Sequence, residues 1–139
     1  NMGYSIRALR MDDIAIPADR LSALNENLPD GWRHRWHDNA KFGDTPEEVQ
    51  EELAGIGLMA DVVEGGVVVN GWDGEKEPWD WDDILRAIAK AAPTSEAVWI
   101  FIGEDNLMWA YVFADGSFSI ESVDVVVATG PRAGERGPK

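Results

Sequence analysis

Short β-type runs joined by tight turns constrain the fold of this chain more than any other feature. Residues 58–64 and 67–72 are rich in valine and flank Gly65-Gly66. Glycine tolerates the positive φ angles of the two-residue turns that join antiparallel strands. The two runs therefore predict a β-hairpin.

Three more β-type runs follow near the end of the chain, at 97–102, 107–114 and 117–127. Their connections, Glu104-Asp105-Asn106 and Asp115-Gly116, are too short to return the chain to the start of a parallel neighbour. Together with a loosely alternating run at 3–9, they predict a mainly antiparallel sheet of five to six strands.

Three segments have the apolar spacing of helices that pack on such a sheet. The first extends from Pro17 to about residue 28. The second begins at Thr45, a suitable N-cap, with Pro46 at the first helical position and Glu48 completing a capping box. The third begins near Asp80 and ends at Pro93. Their predicted buried faces are Leu21, Leu24 and Leu28, then Val49, Leu53 and Ile56, then Trp81, Ile84, Leu85, Ile88 and Ala92.

The predicted element order is thus β-α-α-β-β-α-β-β-β, an α+β fold with about three helices packed on the sheet. The length of 139 residues and the 45% hydrophobic content suit one shared core. We expect a single acidic domain over residues 2–127. The Gly-, Pro- and Arg-rich segment 128–139 is expected to be a disordered tail.

Two absences from the sequence exclude classes of protein. No apolar run approaches the roughly 20 residues that span a bilayer, so no membrane partner is expected. The chain has no cysteine, which excludes disulfides, thiolate zinc sites and iron–sulfur ligation. Both absences favour a cytoplasmic protein.

The net charge of −14 is unevenly distributed along the chain. Residues 42–127 contain 3 basic and 19 acidic side chains, a net charge of −16, whereas residues 1–41 are neutral and residues 128–139 carry +2. Such a charge repels nucleic acid and anionic membranes and attracts basic proteins.

The acidic side chains that lack nearby lysines predict an interaction surface for a basic protein. Four of them project from the second helix, two open the third helix, and two tryptophans of the first loop suit interface anchors. These residues are Glu47, Glu48, Glu51, Glu52, Asp82, Asp83, Trp32 and Trp36.

Acids at 73, 75 and 77 resemble the first half of a calcium-binding loop. Pro78 stands where that loop needs its turning glycine, and Ile84 stands where it needs its final glutamate. We therefore predict a solvated acidic turn and no metal site.

His34 and His37 are candidates for a polar or ligand site. Two imidazoles suit a transition metal or a general base, but no further histidine completes a common ligand set. Trp32, Arg33, Arg35 and Trp36 interleave aromatic and basic groups as single-stranded nucleic acid requires. Because the rest of the chain is strongly acidic, direct nucleic-acid binding is not expected.

Glu104 and Asp105 are the second candidate polar site. Paired carboxylates in a turn can do acid–base work if a cleft raises the pKa of one of them, although the same residues are ordinary turn formers. The neighbouring strands alternate aromatic side chains that could line a ligand pocket, but cross-strand core packing is the commoner role, so we assign them to the core or to a partly exposed sheet face. These are Trp99, Phe101, Trp109, Tyr111 and Phe113. The chain has no common catalytic or phosphate-binding motif, so no catalytic residue or cofactor is predicted.

The last third of the folded chain carries a family resemblance. Gly103-Glu104-Asp105 is followed by an aromatic strand at 109–113 and by Asp115-Gly116 before a final strand. This arrangement resembles small uncharacterised acidic α+β proteins of actinobacteria and their phages, in which an alanine-rich helix end also precedes a Gly-Glu-Asp or Gly-Glu-Glu turn. The resemblance implies an α+β fold and no particular activity.

The sequence favours a non-enzymatic binding module that presents its acidic surface to a basic protein, for example as an inhibitor or immunity-type protein. One alternative is a small ligand-binding domain or enzyme with a Trp-lined pocket. Another is an accessory or structural protein of a phage or mobile element. The oligomeric state is left open.

Overall fold

The computed structural model describes residues 4–27, 45–78 and 81–124. Several predicted positions lie outside this part of the chain, and the interpretations given for them stay predictions. They are Leu28, Trp32, Arg33, His34, Arg35, Trp36, His37, Asp80 and residues 125–139. Among the helices within the described ranges, none has the length and apolar character needed to cross a membrane.

The described elements follow the predicted order with one additional strand. In chain order they are β1 (Ile6–Met11), β2 (Ile14–Pro17), a 3-10 turn (Ala18–Arg20), α1 (Leu21–Glu26), α2 (Pro46–Ala54), β3 (Leu58–Val63), β4 (Gly66–Trp72), α3 (Trp81–Ala91), β5 (Ala97–Gly103), β6 (Met108–Ala114) and β7 (Ser117–Val123).

The strands form two antiparallel sheets. One sheet has the order β1-β5-β6-β7, and the other has the order β2-β4-β3. Every strand pair in both sheets is antiparallel. The predicted α+β class with a mainly antiparallel arrangement is therefore confirmed, with the strands divided between two sheets.

β2 is the strand that the sequence pattern does not reveal, because it has only four residues and precedes a helix without a turn signal. Its Ile14 and Ile16 are buried, and its backbone pairs with β4 from Ile14 opposite Val69 to Pro17 opposite Gly66. The residues after Asp13 therefore extend along a second sheet before the chain turns into α1.

The predicted β3–β4 hairpin is confirmed, with its turn shifted by one residue. Val63 pairs with Gly66, so the two turn residues are Glu64 and Gly65. Gly66 belongs to β4 and allows β2 to approach closely. A Cβ at position 66 would lie 2.1 Å from the carbonyl oxygen of Ile16.

Both sheets and all three helices contribute to one hydrophobic cluster. The predicted helix faces are confirmed where the structure describes them, since α2 buries Val49 and Leu53 and α3 buries Ile84 and Leu85. Trp99, Phe101, Tyr111 and Phe113 are buried in the same cluster, and Trp109 packs against it. The alternating aromatic residues of β5 and β6 are thus core residues, as expected.

Candidate functional site

The start of α2 fixes the orientation of its first-turn acids. The Thr45 side chain accepts a hydrogen bond from the Glu48 backbone N–H at 3.2 Å, and Glu48 Oε1 accepts one from the Thr45 N–H at 3.2 Å. This is the predicted capping box. It occupies the Glu48 carboxylate, while Glu47 and Glu51 lie one turn apart on the same helix face.

A depression of about 540 Å³ lies between that helix face and β3. Its walls contain the carboxylates of Glu47, Glu51 and Asp73, together with apolar atoms of Ala54 and Met59. The Met59 side chain is 48% exposed. Gln50 Nε2 donates to the Ala60 carbonyl oxygen at 2.9 Å and holds α2 against the strand.

A second depression of about 590 Å³ is adjacent to the first, and the two share Ala54 and Asp73 in their walls. It extends between the end of α2 and the segment that follows β4. The two depressions are together called the acidic groove here, and the described residues in its walls include five acidic residues and one lysine. These are Glu47, Glu51, Asp73, Glu75 and Glu77, with Lys76.

Two glycines in the wall of the acidic groove lie against the indole of Trp72. A Cβ would come within 2.9 Å of the Trp72 ring at Gly57 and within 2.7 Å at Gly74. Gly57 also has a φ of +98°, which a residue with a side chain rarely adopts. The ring is packed on its other side by Trp81, with 5.4 Å between the ring centroids.

Glu77 connects the groove wall to the core. Tyr111 OH accepts a hydrogen bond from buried Trp81 Nε1 at 2.9 Å and donates one to Glu77 Oε2 at 3.2 Å. Much of the Glu77 residue is exposed, but this carboxylate oxygen lies against a buried phenol. Burial raises the pKa of Glu77, and the nearby charge of Asp82 raises it further, whereas the Tyr111 hydrogen bond opposes the shift.

The predicted pair Glu104 and Asp105 lies in the β5–β6 turn and accepts hydrogen bonds from the two residues that precede β1. The Ser5 N–H donates to Glu104 Oε1 at 2.7 Å, and Tyr4 OH donates to Asp105 Oδ1. The Tyr4 hydrogen bond, followed by the Leu107 N–H, lowers the pKa of Asp105. The two carboxylates thus connect the β5–β6 turn to the residues that precede β1, and their role as a polar or ligand site stays a prediction.

The other predicted interaction residues have different surroundings. Asp83 pairs with Arg86 at 2.6 Å across one helical turn, so its charge is partly compensated. Asp82 is exposed near Glu77, and Glu52 is partly buried and has a contact of its own. Of the predicted surface residues that the structure describes, Glu47 and Glu51 are the two that line the acidic groove.

Asp73, Glu75 and Glu77 are groove residues that sequence reasoning assigned to a solvated turn. The sequence feature that points to these residues is the alternation of acids directly after a strand. The sequence does not show that α2 lies near them. Among the residues within the described ranges, no group of three or more histidine, aspartate or glutamate side chains is arranged to hold a metal ion.

Among the residues that the structure describes, no tryptophan lines the groove walls. Trp81 and Trp99 are buried, and their indole N–H groups donate to Tyr111 OH and to the Asp12 carbonyl oxygen. These two residues act in the core, which favours the acidic groove over a Trp-lined pocket as the candidate site.

Comparison with known proteins identifies no family for this chain. No protein-family model matches the chain, and neither a curated protein nor a solved structure is significantly similar to it.

Proposed function

We propose that this protein is a binding module that holds a basic segment of a protein partner in its acidic groove. The observation that carries the proposal is the composition of the groove walls, in which, among the described residues, five acidic residues accompany one lysine and an exposed methionine. Exposed Met59 offers a flexible apolar surface beside the charges.

The carboxylates come from two elements that face each other across the groove. Glu47 and Glu51 belong to α2, and Asp73 and Glu75 belong to the segment after β4. A lysine or arginine side chain between them would place its charged end among carboxylates and its aliphatic stem on Met59. This combination suits a basic segment better than a simple cation.

The charge of the whole chain supports the same class of partner. A net charge of −14 accelerates the approach of a basic protein and repels a nucleic-acid backbone. The proposal concerns binding and assigns no catalytic step to Glu104 or Asp105, whose oxygens accept hydrogen bonds from Ser5 and Tyr4.

The proposal is tested by calorimetric titration of the full chain with a short peptide rich in lysine and arginine. We expect binding that weakens at least about tenfold between about 50 mM and 500 mM salt, because the contacts are largely between exposed charges. A peptide of equal length with glutamine at the basic positions is the control and should not bind. Equal affinity at both salt concentrations, or equal binding of the two peptides, would contradict the proposal.

A further inference from the structure

The sheet β1-β5-β6-β7 has a second apolar face, separate from the hydrophobic core. β5 and β6 direct Trp99, Phe101, Tyr111 and Phe113 into the core, and the residues between them point to the opposite side. This outer face has six apolar residues on its two central strands: Val98, Ile100, Ile102, Met108, Ala110 and Val112.

None of these six residues belongs to the described part of the hydrophobic core or packs against it. Ala110, at the centre of this face between Ile100 and Glu121, is 5% exposed although it lies outside the core cluster. A sheet that is apolar on both faces is typical of strands covered on both sides. The outer face therefore has the composition of an interface.

A β-bulge in β1 places two arginines along one edge of the outer face. Ala8 pairs with Phe101 and Arg10 pairs with Ile100, so Leu9 is the extra residue. Ile6 and Ala8 face the core before the bulge, and Met11 faces it afterwards. As a result, Arg7 and Arg10 both lie on the outer face.

The central row of the outer face has opposite charges at its two ends. Arg10 on β1 pairs with Ile100, Ile100 pairs with Ala110, and Ala110 pairs with Glu121 on β7. Both charged residues are exposed. From one edge of the sheet to the other, the row thus contains an arginine, a large apolar residue, a small apolar residue and a glutamate, and Asp12 partly compensates the charge of the arginine.

We propose that a second copy of this chain covers the outer face, with a twofold axis parallel to the strands between β5 and β6. Such an axis places β1 of each copy over β7 of the other. Each row of paired residues across the sheet then lies opposite the same row of the second copy. Arg10 then meets Glu121 of the second copy, and Ile100 lies over the small Ala110. Aligned sheets pack in this way at an angle of about 30°.

The charges select this axis over the alternative one. A twofold axis perpendicular to the strands would place Arg10 opposite Arg10 and Glu121 opposite Glu121, which opposes association. Arg10 is also held in position, because its Nε and Nη2 each donate to the Asp12 carboxylate at 2.9 Å. Its Nη1 is not used by Asp12 and can donate to the second copy.

Charge reversal tests this dimer by sedimentation equilibrium of the full chain. We expect the native chain to dimerise with a dissociation constant on the order of 1 µM. Arg10→Glu and Glu121→Arg should each weaken self-association at least about tenfold, since each reversal places like charges opposite one another. An equimolar mixture of the two variants should form a heterodimer, because both of its contacts then join opposite charges.

The mixture distinguishes a broken interface from a damaged fold, since a misfolded variant would not be rescued by the other. Lys90→Glu on α3 and Glu64→Arg in the β3–β4 turn make the same charge changes at exposed positions away from the outer face, and should self-associate like the native chain. The dimer is overturned by a native chain that stays monomeric at about 100 µM. It is equally overturned by single variants that self-associate normally, or by a mixture that stays monomeric.

Discussion

Glu77 is the residue whose titration the fold alters most clearly, because its carboxylate lies against the buried Tyr111 hydroxyl. Its pKa in the folded state is raised above the usual 4.5, mainly by burial. The folded state therefore binds more protons than the unfolded state, and this group makes the free energy of unfolding fall as the pH rises through and above 4.5.

Glu77→Gln should remove this pH dependence, since its amide oxygen can still accept the Tyr111 hydrogen bond. We expect the stability of the variant relative to the native chain to be greater at about pH 7 than at about pH 4, as measured by chemical denaturation. Glu75→Gln removes an adjacent groove charge without a contact to Tyr111 and is the control. A relative stability that decreases with pH, or an equal trend in both variants, would contradict this assignment.

The residue scale also shows which contacts a sequence pattern does not reveal. Glu104 and Asp105 have the composition of an acid–base pair, but Ser5 and Tyr4, about 100 positions earlier in the chain, occupy their oxygens. The antiparallel pairing of β1 with β5 brings these groups together. Because the sequence does not show that pairing, the structural role of the two carboxylates could not be predicted from it.

At the scale of elements, the β3–β4 turn offers a matched pair of glycines. Gly65 has a φ of +92° with no neighbouring atom within 4 Å of an added Cβ, whereas a Cβ at Gly66 would lie 2.1 Å from the Ile16 carbonyl oxygen. Gly65→Ala should cost about 1–2 kcal/mol from backbone strain alone. Gly66→Ala should cost more, about 3 kcal/mol, because β2 must also move.

Chemical denaturation of the two glycine variants measures this difference. Equal losses of stability in the two would show that the β2–β4 contact at Pro17 and Gly66 contributes little. β2 could not be predicted from the sequence because its pairing with β4 is not a local feature. Helix caps and glycine turns are local signals, and those of α2 and the β3–β4 hairpin are confirmed, but a four-residue strand depends on the neighbour with which it pairs.

At the scale of the whole molecule, the acidity of residues 42–127 could be predicted from the sequence, whereas its shape could not. The acidic groove forms because α2 and the segment after β4 meet, and residues more than 20 positions apart line it together. The outer face likewise could not be predicted from the sequence, because its charge pattern depends on the strand order and on the β-bulge in β1. The proposal of a basic partner thus rests on composition, and the proposal of a binding site in the groove rests on the fold.

The most direct measurement is the affinity of the basic peptide for two variants that lose the same number of charges. Glu47→Gln/Glu51→Gln/Asp73→Asn alters the groove, and Asp13→Asn/Glu64→Gln/Glu96→Gln alters exposed acids that lie outside its walls. We expect the groove variant to bind at least about tenfold more weakly than the native chain, and the second variant to lose no more than about threefold. Equal losses in the two variants would show that the protein attracts basic partners through its net charge alone, and would contradict a binding site in the groove.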